Sequence, residues 1–483
     1  MKCFFHKKHG GFWRNTASDT GLQKKGSPFV VACPDGVLNL WLLAFPMMLE
    51  MILPNFISSV CTGIISNYSE HLVNAVSVST TVINMLYILS TVIATGSTVV
   101  ISKYIGGGEE TAVRETVFSA LTLCGILGIL CSILLTMLAS PIMGLMNLSG
   151  PTYEMGLSYF RFLSASYFLY VLNSVVLALL RCFGRPGYSV AICVLGGLVN
   201  LGLTAWFLLL PESAPVTGVQ GICVASGSSI LLQLLLSALC MKKAGIKLRC
   251  PGKKGRFAKH TGDMLRIGIP SAISACSLSI SGVVTTSFVA RFGDAALAAR
   301  TYINTVVVYT YIFSASVGNA GALLTGRMHG AGNYGGIARL NRAMVWLTVP
   351  VNTIIAFGLT VFSRQIMGLF TDNPVIWNMA FLPLALNIVI ALARSVSHVY
   401  EYSLRATGDV MVMMIATLFS CWICGVGVSY LTAVVWNWGL LGYYFGLMLD
   451  EVVRTVFSLI RWRAKGWSAK QKPTLQEAAN NES

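Results

Sequence analysis

Twelve long apolar stretches run through the chain, and short polar segments separate them. The stretches lie at about residues 37–66, 72–101, 117–140, 153–180, 187–210, 217–241, 264–290, 301–326, 343–363, 375–404, 410–436 and 438–460. A helix needs about 20 mainly apolar residues to cross a bilayer, and lipid offers the backbone no hydrogen bonds, so such spans must be helical. They lack the residue-by-residue alternation of a lipid-facing barrel. The pattern predicts an all-α, polytopic membrane protein with twelve transmembrane helices.

The twelve stretches form two copies of one six-helix pattern. When the chain is aligned with itself at a shift of 224 positions, matching residues recur without a gap over about 140 residues. The matches include Pro46 with Pro270, Thr62 with Thr286, Ala75 with Ala299, Tyr87 with Tyr311, Lys103 with Arg327, Gly106 with Gly330, Arg181 with Arg405 and Gly184 with Gly408. A shift of 221 then aligns Gly218 and Gly221 with Gly439 and Gly442. Six spans return the chain to the same side of the membrane, so we expect parallel repeats about a pseudo-twofold axis along the membrane normal.

Composition agrees with a membrane protein and suggests its orientation. Hydrophobic residues make up 55% of the chain, charged residues only 11%, and the net charge is +16. The Lys and Arg residues lie mostly in the breaks between apolar stretches, which is typical of topology-determining loops and argues against a nucleic-acid-binding face. They concentrate on the side that holds the N-terminus. We therefore expect both termini in the cytoplasm of a multi-pass plasma-membrane protein.

These features divide the chain into five predicted segments. Residues 1–36 form a basic cytoplasmic tail, and residues 37–241 form an N-lobe of helices 1–6. A basic cytoplasmic linker at 242–262 leads to a C-lobe of helices 7–12 at 263–467. Residues 468–483 form a second cytoplasmic tail.

Short motifs recur at equivalent places in both halves. They are a proline early in the first helix, a small-residue start to the second, a glycine-rich loop after the second, and a Leu-Arg turn after the fourth. They read Ala44-Phe45-Pro46 and Gly268-Ile269-Pro270, Asn74-Ala75-Val76 and Leu297-Ala298-Ala299, Gly106-Gly107-Gly108 and Gly330-Ala331-Gly332, and Leu180-Arg181 and Leu404-Arg405. By the order and duplication of these motifs, the chain resembles the multidrug and toxic compound extrusion (MATE) family of the flippase-like (MOP) superfamily, from about residue 37 to 467. The resemblance implies a two-lobed transporter.

Charged residues inside the spans are candidates for ion coupling, because a charge within the bilayer is costly. Glu50 lies in the first helix, one turn beyond the proline, and Arg394, His398 and Glu401 lie in the tenth. With Arg405, the three tenth-helix residues follow one helix face, which we expect to face the cavity between the lobes or the core of the C-lobe. The structural alternatives are an ion-pair ladder on the tenth helix, and for Glu50 a protonated carboxyl or a pair with a neighbouring helix. In the twelfth helix, Glu451 and Arg454 are spaced to form a structural pair, and Asp450 has no evident role.

The ion sites that the resemblance implies are mostly missing. Many prokaryotic members have an aspartate late in the first helix, where this chain has Cys61-Thr62. Their fifth helix often has Asn and then Asp four residues later, and here the pair reads Asn200 and Thr204. The seventh helix has no acid between residues 267 and 290. Either coupling has moved to Glu50 and the tenth helix, with Asn200 retained, or the chain is not a conventional antiporter.

Methionines and tyrosines supply candidates for a soft, aromatic substrate cavity. The resemblance places helices 1, 2, 4, 7, 8 and 10 around that cavity. The candidate residues on these helices are Met47, Met51, Tyr87, Tyr167, Tyr170, Tyr309 and Tyr311. Simple helix packing is the alternative role for each of them.

Together these observations predict a secondary active transporter, an antiporter that exports amphiphilic organic cations or drugs by alternating access between two lobes. The partners expected are small organic substrates and the bilayer, with no nucleic acid, for a monomer that needs H⁺ or Na⁺ and no other cofactor or metal. An ATP-driven pump is disfavoured because the glycine loops lack the Gly-Lys-Ser/Thr ending of a nucleotide-binding loop. A flippase for lipid-linked saccharides or lipids is the main alternative. A membrane-embedded enzyme lacks support, since the spans contain no HExxH motif and no catalytic dyad.

Overall fold

A computed structural model describes residues 29–33, 36–144, 146, 150–209, 218–246, 248–251 and 254–464. A short hairpin of β1 (Val30–Cys33) and β2 (Gly36–Asn39) precedes the helices. The first six-helix unit contains α1 (Leu40–Tyr68), α2 (Glu70–Leu86), α3 (Ile88–Gly106), α4 (Glu110–Met137), α5 (Ala139–Gly144), α6 (Gly150–Cys182), α7 (Pro186–Leu209) and α8 (Gly218–Lys243). The second contains α9 (Lys254–Ala290), α10 (Asp294–Gly330), α11 (Tyr334–Val361), α12 (Ser363–Gly368), α13 (Pro374–Ala406), α14 (Val410–Phe419) and α15 (Leu440–Arg463). Two π-helical segments, Ser420–Val428 and Leu431–Val435, continue α14.

Twelve spans result from the described helices. Ten helices, of which α14 with its π-helical continuation is one, are long and apolar enough to cross a membrane. The second span is divided at Tyr87 into α2 and α3. The last span, α15, holds Asp450, Glu451 and Arg454 in its apolar stretch, and this lowers its hydropathy. The prediction of twelve transmembrane helices is confirmed.

The helix boundaries repeat at the predicted shift of 224 positions. The ends of α4 and α11, of α5 and α12, and of α6 and α13 coincide at this shift. The start of α2 and the end of α3 likewise coincide with the two ends of α10. Because boundaries depend on caps and turns as well as on hydropathy, this agreement extends the repeat from residue identity to backbone structure.

Two stretches differ from the predicted segments. Helix α9 begins at Lys254, so the later part of the predicted 242–262 linker is helical. An apolar run marks only the part of a helix that lipid surrounds, and the charged first turns of α9 extend beyond it. The hairpin of β1 and β2 lies at the end of the predicted N-terminal tail. Residues 1–28 of that tail and the tail at 468–483 lie outside the described residues.

The two lobes meet where α3 crosses α9 and α10. A Cβ built on Gly106 would lie 1.9 Å from the Arg327 carbonyl oxygen, and one on Gly330 would lie 2.0 Å from the Lys103 carbonyl oxygen. These four residues are two pairs of repeat partners, so the contact is reciprocal about the pseudo-twofold axis. Close backbone contacts also join α3 to α9, where a Cβ on Gly96 would meet the Met264 carbonyl and one on Gly268 would meet the Val92 carbonyl. Only glycine allows backbones to approach this closely.

Arg327 ties the same junction together from within. Its side chain is 1% exposed, and its Nη2 donates to the Cys182 carbonyl oxygen at 2.7 Å. Cys182 is the last residue of α6, so this bond connects the C-lobe to the N-lobe. We call this region, formed by the ends of α3, α6 and α10, the lobe junction.

Candidate functional site

A cavity of about 330 Å³ lies between the lobes, next to the lobe junction. Both lobes contribute to its wall, and we call it the cleft pocket. The residues that line it are Met47, Glu50, Met51, Ala94, Thr95, Thr98, Val99, Ala178, Arg181, Asn319, Ala322, Leu323, Tyr402 and Arg405. Glu50, Met47 and Met51 of the predicted set are therefore brought together at one wall of this pocket, on α1.

Glu50 forms an ion pair across two helices of the N-lobe. Arg181, at the end of α6, donates from Nη1 to Glu50 Oε1. The carboxylate is 12% exposed, and its second oxygen, Oε2, is buried without a hydrogen-bond partner among the described residues. Glu50 thus has a pair with a neighbouring helix, as its structural alternative predicts, and it also retains one unused acceptor at the pocket.

The stripe on α13 divides between two cavities. Arg405 lines the cleft pocket, donates from Nη2 to Glu401 Oε1 and lies 5.5 Å from the centre of the Tyr402 ring. Glu401 is 7% exposed and does not line the pocket. Arg394 and His398, one to three turns earlier, line a different cavity inside the C-lobe.

This second cavity, the C-lobe cavity, has a volume of about 270 Å³. It lies among α9, α10, α13, the π-helical segment and α15, and its wall contains Ser281, Thr285, Tyr311, Arg394, His398, Tyr443, Asp450, Glu451 and Arg454 with five apolar or small residues. His398 Nδ1 lies 3.1 Å from the Ser314 hydroxyl, and its ring packs edge-on against Tyr311. Five side chains of its wall, Arg394, His398, Asp450, Glu451 and Arg454, are charged or can become charged, although the cavity lies among helices of the membrane domain.

Two arginines and two acids form a connected network in the C-lobe cavity. Arg394 Nε donates to Glu451 Oε1 at 2.8 Å, and Arg454 Nη2 donates to Asp450 Oδ2 at 2.7 Å. Arg454 Nη1 is also 3.8 Å from Glu451 Oε1, which joins the two pairs. The side chains of both acids and of Arg454 are at most 7% exposed. The formal charges of this network cancel.

The network still has unused hydrogen-bonding atoms. Asp450 Oδ1, Glu451 Oε2 and Arg454 Nε are buried without a partner among the described residues. A buried polar atom without a partner costs about 1–3 kcal/mol. A proton, a cation or water at either carboxylate oxygen, or a water that accepts from Arg454 Nε, therefore gains a stabilising contact. The arrangement can therefore accept a small ion.

The sequence alone does not reveal this network in full. It offers Glu451 and Arg454 as a local pair and leaves Asp450 without a role. The structure instead packs α15 against α13, so that Glu451 bonds to Arg394 on the tenth helix. The available signal was the presence of opposite charges on both helices.

The N-lobe counterpart of this region contains amides and hydroxyls. Asn173 Nδ2 donates to Gln233 Oε1 at 2.9 Å, and the Ser237 hydroxyl donates to Asn173 Oδ1 at 3.0 Å. Asn200, the predicted ion ligand of the fifth helix, donates to the Ser226 hydroxyl at 3.3 Å and accepts a long contact from the Cys61 thiol at 3.9 Å. Asn200 is thus distant in the fold from the C-lobe candidates.

The predicted aromatic residues do not gather at one place. Tyr167 and Tyr87 lie within the N-lobe and donate to the carbonyl oxygens of Leu86 and Tyr170. Tyr311 lines the C-lobe cavity, while Tyr309 is 55% exposed. None of these five tyrosines, which include Tyr170, lines the cleft pocket; its wall contains Tyr402 instead.

Two parallel six-helix lobes with a pocket between them and an ionisable cavity inside one lobe define a polytopic membrane transporter. The chain belongs to the MatE family, whose sequence profile matches it twice, at residues 46–206 and 270–431. The two matches cover one lobe each, which confirms the resemblance to MATE transporters of the MOP superfamily. The family consists of membrane transporters and not of enzymes.

Curated relatives and solved structures agree with this assignment. The chain is 26% identical over 440 residues to an uncharacterised transporter, YisQ, of Bacillus subtilis, and the aligned residues cover 90% of this chain and 96% of that protein. It is 22% identical over 430 residues to the probable multidrug resistance protein NorM of Thermotoga maritima, covering 89% of this chain and 92% of that protein. An outward-facing structure of a multidrug resistance MATE transporter of the MOP superfamily superposes with a TM-score of 0.80 at 21% identity, covering 90% and 96% of the two chains.

Proposed function

We propose that this protein is a cation-coupled antiporter that exports amphiphilic organic molecules by alternating access between its two lobes. The observation that carries the proposal is that one helix, α13, lines both cavities. It contributes Arg394 and His398 to the C-lobe cavity and Tyr402 and Arg405 to the cleft pocket. A change of charge at the C-lobe cavity therefore acts on a helix that also forms part of the wall of the cleft pocket.

The coupling ion binds at the C-lobe cavity in this proposal. Asp450 Oδ1 and Glu451 Oε2 are the acceptors without partners, and each belongs to a carboxylate whose other oxygen already bonds to an arginine. H⁺ or Na⁺ at either oxygen weakens the acid's hold on its arginine. An ion at Glu451 Oε2 thereby loosens Arg394 of α13, and an ion at Asp450 Oδ1 loosens Arg454 of α15. Either change alters the contacts between α13 and α15.

In this proposal, Glu50 and Glu401 link the binding of the coupling ion to the cleft pocket where the substrate binds. Both hold an arginine that lines the cleft pocket, Arg181 and Arg405 respectively. Protonation of either acid frees one guanidinium. His398 lies in the C-lobe cavity and relays the ion's effect along α13, whereas Asn200 supports the N-lobe.

The positive-inside pattern supports both termini in the cytoplasm of the plasma membrane. With that orientation the lobe junction, at the ends that carry Lys103 and Arg327, is the cytoplasmic gate in its closed state. The cleft pocket is then the deepest part of a cleft that opens outwards.

The similarity to multidrug relatives, together with Met47 and Met51 at the pocket, supports drug-like substrates, among them the organic cations expected from the sequence. A single chain supplies both lobes, which supports a monomer.

Uptake of a fluorescent cation into everted membrane vesicles tests this proposal. We expect uptake to depend on a proton or sodium gradient and to collapse with the matching ionophore. Asp450→Asn, and Glu50→Gln combined with Glu401→Gln, are each expected to reduce gradient-driven uptake at least about tenfold. Ser229→Ala changes the equivalent position of the N-lobe and serves as the matched control. Full gradient-driven uptake in both the single and the double variant would refute the coupling scheme.

A further inference from the structure

Two arginines of the cleft pocket are repeat partners, one from each lobe. Arg181 ends the fourth span of the N-lobe and Arg405 ends the fourth span of the C-lobe, and both line the pocket. Their side chains are 28% and 22% exposed, so both guanidinium groups are accessible from the pocket. Glu50 is the only acid in the pocket wall among the described residues. The formal charge of the lining residues is therefore +1, and Glu401, which balances Arg405, lies behind the wall.

Each arginine is bound to an acid of its own lobe. Arg181 pairs with Glu50 of the N-lobe through Nη1, and Arg405 pairs with Glu401 of the C-lobe through Nη2. A guanidinium has five N–H donors in a planar fork, and one nitrogen of each is engaged by its acid. The two residues line a common cavity from opposite lobes, and each keeps donors that its acid does not engage.

We propose that the cleft pocket binds the anionic group, a carboxylate or phosphate, of a zwitterionic or anionic amphiphile between Arg181 and Arg405. This inference rests on the proposed transport function and names its substrate class. Arginine is suited to such groups because its fork matches two oxygens at once. Glu50, which lines the pocket, supplies the negative charge that an ammonium group of the same ligand would face. Met47 and Met51 contact the apolar part.

An anion held in this way connects the lobes. The ion pairs at the pocket join helices within one lobe, α1 with α6 and α13 with itself. A ligand that contacts both arginines adds an ionic contact between the lobes, close to the lobe junction. It therefore favours the state in which that junction is closed, by the difference between its affinities for the closed and open states. Substrate binding from the cytoplasm would in this way promote closure behind the substrate.

Two dyes that differ in one charge test the inference. Rhodamine 6G is a cationic ester, and its free acid, rhodamine 19, has the same ring system with an added carboxylate. Binding is measured by fluorescence polarisation on purified protein in nanodiscs, with empty nanodiscs as the control for partition into lipid. We expect the wild-type protein to bind the acid about tenfold more tightly than the ester, as for a charge-assisted hydrogen bond of ~1.5 kcal/mol.

The variants Arg181→Gln and Arg405→Gln should each remove the preference for the acid without weakening binding of the ester. Arg181→Lys and Arg405→Lys, which keep the charge, should retain part of the preference. Arg364→Gln, at an exposed arginine of α12 that stacks on Trp377, is the matched control and should leave both affinities unchanged. The inference is overturned if the wild type shows no preference for the acid, or if the Gln variants weaken both dyes equally.

Transport in everted vesicles separates this inference from the function on which it rests. If the acid binds preferentially and the preference requires both arginines, but neither dye is exported, the proposed antiport fails and the anion site stands. If the ester is exported in a gradient-dependent manner while the acid is neither preferred nor transported, antiport stands and the anion site is refuted.

Discussion

In the N-lobe, α8 presents Gln233 to Ser229 one turn earlier, and the amide Nε2 donates to the serine Oγ at 3.2 Å. The equivalent turn of α15, at the shift of 221, presents Arg454 to Asp450, and Nη2 donates to Oδ2 at 2.7 Å. The two bonds occupy the same place in the repeat. The bond in the N-lobe joins neutral groups, whereas the bond in the C-lobe joins two ions.

The residues around the two bonds also differ in charge, being neutral in the N-lobe and ionisable in the C-lobe. On the fourth span of each lobe, Tyr170 and Ser174 of the N-lobe correspond to Arg394 and His398 of the C-lobe. The amide network of the N-lobe has one protonation state near neutral pH, while the C-lobe network contains groups that can gain or lose a charge. The shared fold thus keeps a hydrogen bond between neighbouring turns of the sixth span in each lobe, and this bond need not be ionic. The charges in the C-lobe are an addition, which is why we assign coupling to them.

The largest expected effect comes from removing one partner of the ionic pair. Arg454→Leu leaves Asp450 buried without a cation and should lower the free energy of unfolding by about 3–5 kcal/mol. The matched change Gln233→Leu should cost less, about 1–3 kcal/mol, since the two hydrogen bonds that it removes, with Asn173 and Ser229, join neutral groups. Unfolding in mixed detergent micelles, followed by tryptophan fluorescence, measures both. Equal losses would mean that the two bonds are energetically equivalent.

Replacing the ionic pair of the C-lobe with the neutral pair of the N-lobe separates the effect of the charges on transport from their effect on stability. Asp450→Ser combined with Arg454→Gln removes both ions and keeps the spacing, and Glu451 remains paired with Arg394. We expect stability within about 2 kcal/mol of the wild type, because paired buried charges contribute little net stability. Gradient-driven export should still fall at least about tenfold in everted vesicles. Export that remains gradient-driven would place coupling outside this pair.

A smaller effect is expected in the N-lobe network. Asn173→Ala removes the bonds to both Gln233 and Ser237, and should lower the free energy of unfolding by about 1–3 kcal/mol. The dependence of export on the ion gradient should not change, since no ionisable group is lost. A shift in that dependence, measured over a series of external pH values, would show that the N-lobe also takes part in coupling.

The smallest effect is expected at Asn200. Its bonds are the long contact with Cys61 and the 3.3 Å bond to Ser226, so Asn200→Ala should change stability by less than about 1 kcal/mol and export by less than about twofold. Export assays at several sodium concentrations check this expectation. A tenfold rise in the sodium concentration needed for export would instead identify Asn200 as an ion ligand.

The repeat allowed much of the fold to be predicted from the sequence. A shift that aligned Lys103 with Arg327 also aligned the helix ends, because glycines with positive φ recur in the turns after equivalent helices, at Gly108 and Gly332 and at Gly184 and Gly408. The candidate site was predicted less completely. Arg394 and His398 were identified by their cost in a membrane, but their partner Glu451 lies on another helix, and the packing of α13 on α15 depends on tertiary structure that no local pattern reports.

The division of the α13 stripe has a similar explanation. Residues 394, 398, 401 and 405 share a face by spacing, yet they span about three turns, or about 16 Å of helix. Over that length the neighbours of the helix change from the C-lobe interior to the cleft. Spacing along one helix therefore predicted which residues align, but not which cavity each one would reach.

In the proposed alternating-access cycle, the reciprocal glycine contacts at the lobe junction affect how readily the lobes separate. Gly106 and Gly330 meet the other lobe with backbone against backbone, so at these two contacts no side chain has to give up rotamer freedom when the lobes meet or regain it when they part. Arg327 is the long side chain that is ordered at the junction. A side chain ordered at such a seam loses up to about 2 kcal/mol of conformational entropy. Without that contribution, the open and closed states can lie close in free energy. In that proposed cycle, binding of a single ion or a single substrate can shift the equilibrium between the two states, and its release can shift the equilibrium back.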